Sequence, residues 1–172
     1  MVLCLGLVCL FCSAILGSVY AVTKDPIDAA AAAEAKAAIS EVLPEGGEIS
    51  GVLEAGGIEY YESRRDSTVL AYAVKSSANG FGGLLGIMVG VLPDGTIYNT
   101  KVISHSETPG LGAKCTSDEK FMNQWKNFPA AGNLAVKKDG GDVDAITAST
   151  ITSRAYTVAV AQARDFVKSL QK

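Results

Sequence analysis

The chain has 172 residues, 48% of them hydrophobic and 19% charged, which suits one folded domain and is too short for two of usual size. Its net charge of −3 excludes the basic footprint of a nucleic-acid binder, so no nucleic acid is expected as a partner. Three of the four cysteines, Cys4, Cys9 and Cys12, crowd the N-terminus, far from the single histidine, His105. That placement disfavours a disulfide framework and a zinc centre, and no metal is expected.

Val2 to Val22 carries no charged side chain, and every charge in the protein lies at Lys24 or beyond. As a helix this run spans about 31 Å, close to the hydrocarbon core of a bilayer. Residues 1–23 therefore read as a single transmembrane anchor that meets lipid through residues 2–22. The competing reading is a cleaved signal peptide, because Val19-Tyr20-Ala21 resembles a cleavage site. The run is longer than an ordinary signal core and no Lys or Arg precedes it, which favours retention. Its cysteines read as small apolar packing residues.

Asp25-Pro26 is expected to break this helix or to start a new one. Ile27 to Leu43 has an alanine block at positions 29–33 and apolar residues at helical spacing, and Pro44-Glu45-Gly46-Gly47 stops it. Residues 24–47 are thus either a stalk or the first helix of the domain that follows. In residues 48–172, strands are predicted at Ile58–Glu62, Val69–Val74, Leu84–Leu92 and Ile97–Ile103. Pro93-Asp94-Gly95 makes the last two a hairpin. A short helix is predicted over 118–127, and a final helix from Thr152 to Leu170. The fold class is α+β, with a mainly antiparallel sheet and flanking helices.

Three segments hold more than packing requires. Asn79-Gly80-Phe81-Gly82-Gly83-Leu84 opens a strand, either as a bulged turn or as a close backbone approach to a ligand. It lacks the order of a nucleotide-binding fingerprint. Ser104 to Gly112 follows a strand and offers Thr108, Leu111 and backbone N–H groups around Pro109-Gly110. His105 there reads as a hydrogen-bonding residue, since no nucleophile and orienting acid accompany it. Asp144 to Arg154 is rich in Thr and Ser and leads into the last helix, as an N-cap region or as a phosphate cradle.

In this order, behind one apolar span, the three segments resemble the RnfG family, the covalent FMN-binding component of Rnf electron-transport complexes. That family is related to NqrC of the sodium-pumping NADH:quinone oxidoreductase. His105-Ser106-Glu107-Thr108-Pro109-Gly110-Leu111-Gly112 resembles its loop signature, and Asp144 to Ser153 resembles the flavinylation motif D-x-x-(S/T)-G-A-T-x-T-S. The resemblance implies an FMN-binding domain over residues 48–172. It also implies FMN joined through its phosphate to Thr150, made by a flavin transferase with FAD as donor. Asp144, Thr147, Ala148, Ser149, Ile151, Thr152 and Ser153 would surround that attachment. Glu107, Thr108, Gly110, Leu111 and Gly112 would lie along the ring, with Gly82 and Gly83 allowing backbone approach.

Where the motif has Gly-Ala, this chain has Ala148-Ser149, which loses a glycine suited to positive φ. The implied role is electron relay with no catalytic residue of its own. The protein would work beside the other membrane and peripheral Rnf subunits, in a cell (inner) membrane with its soluble domain extracytoplasmic. The complex passes electrons between ferredoxin and NAD⁺ and moves Na⁺ or H⁺. The alternatives are a stand-alone anchored flavoprotein and a flavin-free anchored binding module.

Overall fold

The computed structural model describes residues 1–171, which divide into two units, residues 1–35 and the chain from residue 36 onward. Helix α1 runs Val2–Val42 and contains a window long and apolar enough to cross a membrane, none of it buried. The expected break at Asp25-Pro26 does not occur, because the helix continues through Pro26. Proline removes the bond its own N–H would make and crowds the carbonyl four residues back, but the alanine block beyond it has the highest helix propensity available.

The second unit is built on one sheet of six strands, all paired antiparallel. The strands are β1 (Glu48–Ile49), β2 (Leu53–Ala55), β3 (Ile58–Arg65), β4 (Thr68–Asn79), β5 (Leu84–Val91) and β6 (Ile97–Ser104). The order is β1-β3-β4-β5-β6, with β2 also paired to β3. The hairpin between β5 and β6 forms as expected, with Leu92 N–H donating to the Thr96 carbonyl at 2.8 Å. Strand β4 runs past Val74 to Asn79, because its polar end pairs with Leu84–Met88 of β5. Tertiary pairing overrides the weak strand propensity of Ser76-Ser77.

Both faces of the sheet are covered, and β5 shows why its sequence is apolar throughout: seven of its eight positions are buried. One face packs Val74, Leu85, Ile87, Val89 and Val91 against Trp125, Phe128 and helix α3 (Thr150–Leu170). Helix α3 is amphipathic and turns Ala155, Tyr156, Ala159, Val160, Ala163 and Val167 inward. The Tyr156 ring stacks on Trp125 at 5.0 Å between centroids, and its hydroxyl pairs with that of Thr100 at 2.8 Å. The other face takes the last turns of α1, where Ala38, Ile39, Val42 and Leu43 pack on Ala71, Ala73 and Met88. Asn99 donates to the Glu41 carbonyl at 3.1 Å, and Lys101 pairs with the Glu41 carboxylate at 2.7 Å.

Two helix boundaries differ from expectation. Helix α2 covers only Glu119–Asn123 of the expected 118–127, with Asp118 as its cap. Beyond it the chain tightens into turns, Asn127 adopts φ +54°, and Phe128 bridges to Ile97 of β6. Pairing with the sheet edge draws the chain out of the helix. Helix α3 starts at Thr150, two residues early, because the Ser149 carbonyl already accepts the Ser153 N–H at 3.0 Å.

Gly90 of β5 lies directly under the Val42 carbonyl, where a β-carbon would collide with backbone. We predict that Gly90→Ala lowers stability by about 1–3 kcal/mol, the usual range for overpacking. Thermal melting of the purified chain checks this, and an unchanged melting temperature would show that the α1 end does not hold this seat in solution.

Candidate functional site

The three marked segments meet around one carboxylate. Glu107 is 5% exposed, yet it sits in a loop rather than in an element. Its Oε1 accepts the Phe81 N–H at 2.8 Å and the Gly82 N–H at 3.4 Å. Its Oε2 accepts the Thr152 hydroxyl at 2.8 Å, across 45 residues of sequence. The glycine-rich turn, the 104–112 loop and the start of α3 are thereby pinned together. Hydrogen bonds to a charged group contribute about 1.5–3 kcal/mol each, so this is a strong local clamp. Gly80 and Gly112 flank the carboxylate so closely that a β-carbon on either would strike one of its oxygens.

His105 takes part through its imidazole, with Nδ1 accepting the Glu107 N–H at 3.2 Å. It acts as the hydrogen-bonding residue expected of it. Cys115, in the 3-10 turn Gly112–Thr116, is buried close by. Burial, with the Glu107 charge adding to it, pushes its thiol up to about 11.

A tight turn leads into α3. Ser149 N–H donates to the Ile146 carbonyl at 3.0 Å, and Ala148, the third residue of that turn, has φ +62°. A turn with positive φ at its third position favours glycine, so Ala148 holds a conformation disfavoured for a residue with a β-carbon. Ser153 keeps the turn in place: its hydroxyl donates to the Ser149 carbonyl and accepts the Ile146 N–H, both at 2.9 Å. Ser149 is the N-cap of α3, but its side chain makes no capping bond.

These elements enclose a cleft of about 340 Å³ lined by Phe81, Glu107, Thr108, Leu111, Gly112 and the run Ala148–Thr152. Eight of the residues expected to hold a cofactor besides Thr150 thus share its wall, and Thr150 itself is half-buried there. Phe81 was not among the expected residues, although its place between Gly80 and Gly82 marked it as a side chain held out on a turn. Gly82 and Gly83 do not line the cleft; Gly82 packs against the Ser106 carbonyl and Gly83 has φ +142°. Gly110 stands clear of it at φ +77°.

Thr147 is exposed on the turn, and Ser153 is buried behind it. Asp144 pairs with Lys137 at 2.9 Å, a bond that holds its carboxyl below the ordinary range. Arg154 faces Asp139 in a bidentate pair at 2.6 and 2.7 Å rather than the cleft. A larger cleft, of about 760 Å³ between the sheet and α3, contains none of the expected cofactor residues.

A helix long and apolar enough to cross a membrane thus precedes, in sequence, an α+β domain with a cleft at the start of α3. Residues 80–165 match the FMN-binding domain family. The G subunit of the ion-translocating oxidoreductase complex of Haemophilus influenzae (strain PittEE) is 35% identical over 167 residues, covering 88% of this chain and 81% of that one. The G subunit of the proton-translocating ferredoxin:NAD(+) oxidoreductase complex of Clostridium ljungdahlii is 36% identical over 110 residues, covering 63% and 59%. The crystal structure of the C subunit of the Na(+)-translocating NADH-quinone reductase from Parabacteroides distasonis shares the fold. It superposes with a TM-score of 0.53 at 21% identity, covering 81% of this chain and 84% of that one. The chain belongs to the G-subunit family of ion-translocating oxidoreductase complexes, with its FMN-binding domain.

Two consequences follow from the geometry. Ala148→Gly should relieve the positive-φ strain and raise stability by about 1 kcal/mol, which denaturant unfolding would register as a higher midpoint with an unchanged slope. Cys115 should resist alkylation at pH 8 in the folded chain and react fully once unfolded, because its thiol stays protonated and covered. Peptide mapping after iodoacetamide treatment checks this, and rapid native labelling would contradict it.

Proposed function

We propose that the chain holds FMN in the Glu107–Thr150 cleft, joined through its phosphate to the Thr150 hydroxyl. It works as the electron-relaying G subunit of a membrane-bound, ion-translocating ferredoxin:NAD⁺ oxidoreductase. The observation that carries this reading is the convergence of three sequence-distant segments on one cleft, with Thr150 in its wall at the first residue of α3. Family membership supplies the flavin and the complex, and the geometry supports the attachment point.

The residues present fit the group. The first N–H groups of a helix have no intrahelical acceptor, and the Ser149 side chain leaves them without a cap, so an anion is favoured at this mouth. Thr150 offers a hydroxyl on that rim. Phe81, Leu111 and Ile151 expose apolar surface in the same wall, at 70%, 45% and 51%, which a flat aromatic ring would cover. Bound FMN supplies electron acceptance and donation. The chain binds and orients it and keeps it from diffusing away. Thr108 and Leu111 take the ring side of the cleft, while the run Ala148–Thr152 takes the phosphate side.

A flavin transferase completes the bond during maturation, the apolar window of α1 anchors the chain in the bilayer, and the domain lies on the extracytoplasmic side. The other subunits of the complex are its electron donor and acceptor. No residue of the chain is assigned a catalytic role.

Intact-mass spectrometry of the chain purified from membranes, after expression with a flavin transferase, tests the attachment. The native chain should carry one FMN less one water, Thr150→Ala should carry none, and Ser149→Ala should retain it. An adduct that persists in Thr150→Ala would move the acceptor, and a native chain without adduct would remove the covalent reading.

A further inference from the structure

We propose that the Glu107 carboxylate sets the reduction potential of the bound flavin, holding it low by placing a fixed negative charge in the cleft wall. The inference rests on the FMN reading above and adds to it a function for one side chain. Glu107 is 5% exposed and lines the cleft, and three donors converge on its two oxygens, the hydrogen-bond pattern of an ionised carboxylate. Gly80 and Gly112 leave it space that a side chain on either would take. Among the described residues no lysine or arginine pairs with it, whereas the exposed Asp139 and the half-buried Asp144 each have a cationic partner.

Neutral donors stabilise a charge without cancelling it. The field of Glu107 therefore reaches the cleft through protein, where screening is weaker than in water. Placing one electron on a flavin beside this charge is disfavoured relative to the same step beside a neutral group. In that step one electron leaves a reductant and remains on the flavin, and no protein bond breaks.

The test is a spectroelectrochemical titration of the flavin-loaded full chain in detergent, with dithionite as reductant, at a pH high enough that no proton accompanies the electron. Glu107→Gln keeps the shape and can still accept the Phe81 and Gly82 N–H groups, but it lacks the charge. Its one-electron equilibrium should shift tenfold or more toward the reduced flavin, a rise in potential of about 59 mV per tenfold. Thr152→Val removes one donor and leaves the charge, so its potential should stay at or below that of the native chain. A Glu107→Gln protein that carries the flavin adduct with an unchanged potential overturns the inference. So does a Thr152→Val protein whose potential rises as much as that of Glu107→Gln, because loosened structure would then explain both. Where Glu107→Gln fails to fold, the Thr152→Val measurement decides alone, a rise counting against the proposal. A native chain without the mass of the adduct overturns the FMN reading itself, and the inference with it.

Discussion

A single buried carboxylate ties together three parts of the chain that lie far apart in sequence. Glu107 takes N–H groups from the glycine-rich turn and a hydroxyl from the first turn of α3, while its own loop follows β6. An unpaired buried charge is costly, so the loop cannot leave this position without exposing or stranding the carboxylate. The glycines around it have the same explanation. They leave space for the oxygens of Glu107, and Gly82 lets two loops touch backbone to backbone.

Rigid elements hold that junction. The turn holding Phe81 is bounded by two paired strands, and the 104–112 loop leaves the end of β6. The third contributor is α3, packed along the sheet through a continuous apolar face. The cleft is thus made of loops, while its position comes from the sheet and one helix. At its rim the chain accepts local strain, because Ala148 holds a left-handed conformation at the turn that aims α3. The buried Ser153 hydroxyl, bonded on both sides of that turn, over-determines the geometry.

The cleft suits a carrier. Its one imidazole neighbour is tied to the Glu107 backbone, and its nearest cysteine is buried with the thiol pushed up. Neither is set up as a nucleophile or a base. What the wall offers is apolar surface, an open helix start and a hydroxyl, the means to retain an anionic aromatic group.

Local chemistry made much of this legible from residues alone. An uncharged run, strand-rich segments and the Pro93-Asp94-Gly95 turn each act over a few neighbours, so the long apolar helix, the antiparallel sheet and its hairpin could be read directly. The loop and the threonine-rich motif pointed to Thr150 and Thr108 through resemblance. Where competition was long-range, the sequence was silent or misleading. Helix α2 is cut short because Phe128 is drawn to Ile97. That Glu107 would bind residues 26 and 45 positions away was not visible in any spacing. Nor was the seat of Gly90 under the Val42 carbonyl. Propensity and pattern report what a residue prefers among its neighbours in sequence. A buried charge and a crowded glycine depend on which distant groups arrive beside them, and only tertiary packing decides that.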